Sequence, residues 1–340
     1  MKRTTKSLVL MVVVAGWGCG GGEPAADAPA ETPARRFISL GTAPTGGAFF
    51  QVGGALAEVA GAGAGLQITA EATKGSQENI RRLVTGEMDF ALSNASITWF
   101  AVRGEEPWGT PQAVQSVMTL APNVALFVAP KSAGLASLAD LRGKRVVIGP
   151  AGAGFEQFVA PILAAHGFGL ADMTVLNAAQ SAAVDLLADG SADAAFLGGA
   201  VPTASITQAA TSMELTYLPF DPAAREALIR DYPFFEAATI PAGIYRGLDS
   251  DFAGLDVGSM HLITGASVDP ELVYSVTKAL WEGRADVVTR HPAGRAIREG
   301  NVTRDTGTPF HAGAEKFYRE VGLWPAEVAA ADTPEAAPTP

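Results

Sequence analysis

The chain has 340 residues, 48% of them hydrophobic and 17% charged, and a net charge of −11. That length suits two domains, with roughly 75% of the unfolded surface open to burial. The acidic balance argues against nucleic acid and anionic lipid headgroups as partners, since both are bound through basic patches. A single cysteine, Cys19, excludes a disulfide framework and a buried catalytic thiol.

Lys2, Arg3 and Lys6 form a basic start, and residues 8–17 are an apolar stretch of ten. A spanning helix needs about 20 such residues, so 1–18 reads as a signal peptide. Cys19 follows at once in Gly16-Trp17-Gly18-Cys19 and is the expected lipidation site, anchoring the chain at a membrane. Trp17, and the lack of a leucine at the motif's first position, depart from the usual lipoprotein pattern. Residues 19–36 are rich in Gly, Ala and Pro and read as a disordered tether, and 324–340 as a disordered tail.

The folded part opens on Phe37-Ile38-Ser39-Leu40, a short apolar strand. Gly41 to Gly47 breaks it with three glycines and Pro44, and an apolar-periodic helix begins near Ala48. A strand, a glycine-rich turn and a helix bring unpaired N–H groups and a positive dipole end to one place, which suits an anion. A P-loop is excluded because Gly47 stands where its lysine belongs, and the GxGxxG spacing of a dinucleotide site is also missing.

Residues 66–72 alternate as a second strand, and Thr73-Lys74-Gly75-Ser76 turns it into a helix. Ser76 stands at an N-cap position, and its hydroxyl and that of Thr73 are expected to face the first loop's cleft. A third strand over 88–93 leaves through Asn94-Ala95-Ser96 at its carboxyl end, where ligands of open α/β sheets sit. Apolar runs at 116–120 and 124–129 lead towards a second unit, the latter run crossing between lobes.

The whole design then repeats. Residues 146–155 give a strand, a Gly/Pro turn containing Gly152-Ala153-Gly154, and Phe155 opening a helix to 165. Residues 76–92 and 181–197 share a serine start, a helix, a glycine stop and a G-x-x-D entry to a strand. Gly198-Gly199 mirrors Asn94–Ser96 as a third-strand exit. Residues 255–264 read as the return crossing, 269–288 as a helix opened by Asp269-Pro270-Glu271, and 312–321 as the last helix. These signals predict an α/β fold of two lobes, 37–125 plus 252–323 and 126–251, with a ligand cleft between them.

The ordered set Gly41-Thr42, Thr45-Gly46-Gly47, Phe49-Phe50, Ala72 to Ser76, Glu78-Asn79, Gly86, Asp89, Gly199, Val201-Pro202, Thr239 to Gly243, Tyr245, Val273-Tyr274 and His311 to Ala314 resembles the TAXI-type solute receptors of TRAP transporters. The resemblance spans residues 37–323. It implies a two-lobed, type II periplasmic-binding-protein fold, an extracytoplasmic location, and capture of a small carboxylate or amino-acid-like solute for membrane permease subunits. The family usually has Tyr-Tyr where this chain has Phe49-Phe50, and a Gln-x-Asp-like exit where this chain has Asn94-Ala95-Ser96. Without that carboxylate a ligand ammonium loses its partner, which favours simple carboxylates.

The expected site therefore combines N–H groups of Thr45, Gly46, Gly47, Gly152, Ala153 and Gly154, hydroxyls at Thr42, Thr73 and Ser76, and amides at Asn79 and Asn94. Gly75, Gly198 and Gly199 line it, and Phe49, Phe50 and Phe155 cover the carbon skeleton. No GxSxG elbow, HExxH helix or CxxC pair occurs, and the four histidines are far apart in sequence, so neither a metal nor a cofactor is expected. The same fold carries two other readings: a transferase-type enzyme, disfavoured by the export signal and the lack of an acid/base pair in the loops, and a ligand-presenting partner of a membrane sensor.

Overall fold

The computed structural model describes residues 37–45 and 47–325. The expected signal peptide, Cys19, the tether, Gly46 and the tail beyond residue 325 lie outside them. The first elements are β1 (Phe37–Gly41), α1 (Ala48–Ala64), β2 (Gln67–Glu71), α2 (Ser76–Val84) and β3 (Phe90–Asn94), followed by α3 (Ala95–Arg103) and β4 (Val114–Thr119). The chain then builds β5 (Val124–Pro130), β6 (Arg145–Val147), α4 (Phe155–Ala165), β7 (Thr174–Leu176), α5 (Gln180–Ala188), β8 (Ala194–Gly199), α6 (Ala204–Ser212), β9 (Leu215–Leu218), α7 (Pro222–Asp231), β10 (Phe235–Ile240) and β11 (Phe252–Val257). It ends with β12 (Met260–Gly265), α8 (Pro270–Glu282), α9 (Arg284–Arg290) and α10 (Ala312–Glu320).

Two sheets result. The first has the order β2-β1-β3-β12-β4, and the second β10-β11-β5-β8-β6-β7 with β9 on β5. In the first, β2-β1-β3 is parallel, and in the second so is β7-β6-β8. Each parallel trio is a βαβαβ unit whose strands are joined by helices, as parallel pairing requires. The internal repeat in the sequence is thus a repeat of topology: in both units the first strand lies in the middle and the third joins on its far side.

The crossings differ in detail from expectation. Val124–Pro130 lies wholly in the second sheet, and residues 120–123 make the passage from β4. The return run divides at Gly258-Ser259 into β11 of the second sheet and β12 of the first. Gly258 sits at φ 107, and a Cβ there would meet the Ser96 backbone nitrogen at 2.6 Å. Only glycine turns the chain past the start of α3 in this way. The single helix expected over 269–288 is α8 and α9, parted at Gly283, where a Cβ would stand 2.5 Å from Val59 Cγ1 of α1. α3, whose Ile97-Thr98-Trp99 run has β character, was not anticipated, nor were α6, β9, α7 and β10.

The second sheet's core gathers rings: Phe196 lies 5.2 Å from Phe127, 5.4 Å from Phe158 and 5.9 Å from Phe155. α3 reaches towards the second sheet, with Trp99 edge-on to Phe234 at 5.3 Å beside β10. Ile97 and Ala101 of α3 belong to the same buried cluster as Phe127 and Phe196. Around the first sheet, Ile38, Leu40, Leu56, Leu92 and Tyr318 form a separate core.

Phe196 is 1% exposed, so Phe196→Ala leaves a cavity among three rings. A loss of about 3–5 kcal/mol is expected in urea unfolding, against less than about 0.5 kcal/mol for exposed Val84→Ala.

Candidate functional site

The carboxyl ends of the parallel strands face the region between the sheets, and the helices that follow them begin there. α1, α2 and α4 are capped by Gly47, Gly75 and Gly154, none of which offers a side-chain acceptor. α5 and α6, after β7 and β8, also lack a side-chain cap bond. By contrast α7, α8 and α10 are capped by Asp221, Asp269 and His311. Of the helices that start at parallel strand ends, α1, α2, α4, α5 and α6 thus have no side-chain cap, while α3 is capped by Asn94. Glu78 and Glu156 stand in the first turns of α2 and α4, and Glu78 already accepts from the Lys74 N–H at 3.1 Å.

Two of the nominated loops meet. A Cβ on Gly75, at φ 123, would lie 3.5 Å from Ala153 Cβ, and one on Gly154, at φ 98, would lie 2.9 Å from Ile97 Cδ1 and 3.0 Å from Gln77 Cγ. The β2–α2 turn and the β6–α4 turn thus form a seam, closed on one side by the start of α3. Thr45 and Gly47 stay exposed at the start of α1, where the Gly47 N–H donates to Pro44 O at 3.3 Å, which takes it out of the free donors. Gly152 is exposed on the outer side of its loop.

Several nominated side chains turn inward instead of towards a ligand. Thr42 Oγ1 donates to Glu71 O at 2.7 Å, and Thr42 O accepts from Thr73 Oγ1 at 3.1 Å. Asn79 Nδ2 donates to Thr42 O at 2.8 Å and Leu92 O at 2.7 Å, filling the crevice between the ends of β1 and β3. Gly75, not Ser76, is the N-cap of α2, and Ser76 Oγ accepts from the Asn94 N–H at 3.0 Å. The physical reason is common to all four. Strand ends leave backbone groups that must be paired when buried, and these short polar chains lie within reach.

In the second unit, Gly198 O accepts from Gln180 Nε2 at 2.8 Å, and Gly199 is buried at φ 153. Phe155 packs over Gly149 and against Phe158 and Phe196, so its ring serves the core. Phe49 rests on the first sheet's core, and Phe50 is half-buried.

Two amides keep a buried N–H2 without a partner among the described residues. Asn94 Oδ1 caps α3 by accepting from Ser96 N at 2.8 Å, leaving Nδ2 unpaired. Gln157 accepts from Trp108 Nε1 at 2.9 Å, leaving Nε2 unpaired. Gln157 escaped notice in the sequence because it interrupts an apolar run, Phe155 to Ala165, that reads as plain core helix. A lone amide there was the available signal.

Behind the seam, the crossing segments are bonded to one another. Leu120 N donates to Met260 O at 2.8 Å, Met260 N to Ala121 O at 2.9 Å and Val257 N to Asn123 O at 3.0 Å. Asp256, 1% exposed, accepts from Asn123 N at 3.0 Å and Ser259 Oγ at 2.5 Å. Arg304 donates to Glu236 of β10 at 2.6 Å and stands 4.0 Å from Asp256. Nearby, buried His261 Nε2 meets Thr98 Oγ1 at 2.8 Å. Among the described residues no cluster of three or more His, Cys, Asp or Glu side chains is placed to hold a metal ion.

The fold defines the class first: a mixed α/β protein of two sheets. PhnD1 from Prochlorococcus marinus (MIT 9301), solved in complex with methylphosphonate, is similar at a TM-score of 0.53 and 9% identity, over 85% of this chain and 100% of that one. A protein of Bordetella bronchiseptica RB50 is similar at 0.51 and 14% identity, over 86% and 90%. At such identities the likeness is one of fold. The chain itself belongs to the NMT1-like family, matched over residues 40–322.

Burial pushes the Asp256 carboxyl up to about 7, against the pull of Ser259, the Asn123 N–H and Arg304. The unfolded chain ionises it near about 4, so its stabilising contribution is complete below that pH and is lost as pH rises to about 7. Burial lowers His261 to about 3. Its contribution is complete above about 6.5 and is lost as pH falls, opposing Asp256 between about 4 and 6.5. Asp256→Asn removes only the first slope. Melting temperature followed by circular dichroism should move in the variant's favour, relative to the parent, from pH 5 to pH 8. A gap that does not change with pH overturns the assignment.

Proposed function

We propose that the chain is an extracytoplasmic solute receptor of the TAXI type, capturing a small carboxylate between its two lobes, 37–125 plus 252–323 and 126–251, and delivering it to TRAP permease subunits. The observation that carries this reading is the set of helix starts at the parallel strand ends. Two of them, the starts of α2 and α4, one from each parallel trio, lack side-chain caps and meet in one seam. Backbone N–H groups and dipole ends arranged in this way favour an acidic solute. The fold-level likeness to a methylphosphonate complex supports the same class of ligand.

Neither sheet alone surrounds a solute, so binding draws the two turns together, and the crossing segments at 120–123 and 258–259 are where the chain bends. Charge-assisted bonds contribute about 1.5–3 kcal/mol each, and three approach the roughly 8 kcal/mol of a micromolar complex before ordering costs. No acid/base pair stands in the seam's turns, and the role is binding rather than catalysis.

A thermal-shift panel of succinate, L-glutamate, inorganic phosphate, glucose and putrescine tests the reading. A carboxylate at 100 times its Kd should stabilise the protein by about 2.7 kcal/mol. Stabilisation by glucose or putrescine alone, or by none of the five, overturns it.

The reading includes a lipid on Cys19, holding the receptor at a membrane. Cys19→Ala should move the protein from the membrane pellet to the soluble fraction on cell fractionation. A parent chain found soluble and unmodified by mass spectrometry removes the anchor.

A further inference from the structure

Gln157 is the third residue of α4, which follows β6 of the second sheet, and its side-chain partner lies on the other side of the seam. Trp108 belongs to the loop that joins α3, which follows β3, to β4 of the first sheet. An indole N–H only donates, so the Gln157 atom 2.9 Å from Trp108 Nε1 is the oxygen. The other end of the carboxamide is therefore an N–H2, and it only donates. Gln157 is 8% exposed, and its Nε2 is buried without a partner among the described residues.

Its position is defined by the capping glycine of α4. A Cβ on Gly154 would come within 2.8 Å of Nε2, 2.9 Å of Ile97 Cδ1 and 3.0 Å of Gln77 Cγ. Nε2 thus lies at the seam itself, against residues of α2 and α3. At φ 98, with those neighbours, no side chain is accommodated at Gly154, which leaves the corner to the amide. Trp108 is held from α2 by the Arg81 guanidinium, 5.3 Å from its ring centroid. The chain Arg81–Trp108–Gln157 therefore spans the seam and ends in an unmet donor. An unmet buried donor is costly, so this one calls for a partner that the described residues do not supply.

We infer that Gln157 couples solute to closure: its amide oxygen engages Trp108 of the α3–β4 loop while its N–H2 takes an acceptor oxygen of the solute. The inference rests on the reading of the seam as the solute site and adds which residue orients the ligand and with what polarity. The ligand group at this corner is an oxygen acceptor, such as a carboxylate or carbonyl, and not an ammonium or a hydroxyl acting as donor. Opening the seam separates Gln157 from Trp108 and frees the amide to rotate. A solute that supplies the acceptor fixes the rotamer in which the oxygen faces the indole.

Two substitutions separate the amide's donor from its surroundings. Gln157→Glu keeps an oxygen for Trp108 and replaces the donor by a charged acceptor. Gln157→Met removes the donor without adding charge. The parent and both variants are titrated with succinate, L-glutamate and inorganic phosphate by calorimetry, after thermal melts establish that each is folded. Both variants should bind the parent's best probe at least tenfold more weakly. Trp108→Phe, on the opposite side of the seam, leaves the donor in place but unpositioned and should weaken the same probe severalfold. The emission change that this probe produces in the parent should be lost in Trp108→Phe.

Equal binding by the parent and both Gln157 variants overturns the inference alone, leaving the receptor reading intact. A weak Gln157→Glu beside a parent-like Gln157→Met reduces the effect to charge repulsion and also overturns it. Should either Gln157 variant fail to fold, Trp108→Phe decides: parent-like affinity with an unchanged emission response overturns the coupling. A parent that binds none of the three probes overturns the receptor reading, and the inference falls with it.

Discussion

A buried carboxyl group at the crossing point holds the two sheets together. Asp256 is the penultimate residue of β11, yet its oxygens bind the backbone ahead of β5 and the hydroxyl just before β12. Both passages between the sheets are thereby fastened to one side chain, and the backbone bonds among 120, 121, 123, 257 and 260 make them a continuous ribbon. Arg304 adds a strut from the C-terminal segment to Ser259 and to Glu236 on β10.

The supply of polar groups at those strand ends is nearly exhausted from within. Asn79, Asn177 and Gln180 each give an N–H2 to a carbonyl at a strand exit, and the Thr42, Thr73 and Ser76 hydroxyls pair with backbone at the ends of β2, β1 and β3. These bonds fix the turns rather than read a solute. Among the described residues, the side-chain atoms left unpaired there are Asn79 Oδ1, Asn94 Nδ2 and Gln157 Nε2.

Much of this was legible in the sequence. The paired strand–turn–helix units, their glycine stops and the two-sheet architecture follow from periodicity and punctuation, and α4 falls within the expected bounds. The fate of Thr73, Ser76 and Asn79 was not legible. A ligand and a strand-end carbonyl ask for the same donors, and sequence spacing cannot say which is nearer. Arg304 and Glu236 lie 68 residues apart, and Trp108 and Gln157 lie 49 apart, in segments with no motif of their own. Pairings of that kind are products of the tertiary fold. α3 was hidden for another reason: Ile97-Thr98-Trp99 has strand-like propensity, and burial against the second sheet overrides it.

The position of β12 also governs the order in which the molecule is completed. This strand is inserted between β3 and β4, so the first sheet stays split until the chain has been made past residue 265. The second sheet, from β5 to β11, is complete before that point. During synthesis and passage through any export machinery, β3 and β4 expose open edges bearing Leu92, Val117 and Met118, all buried in the finished protein. Open apolar edges invite pairing with other chains, and strand pairing over such sequence separation is slow. β12, the strand that closes both edges, therefore arrives only after every strand of the second sheet has been made.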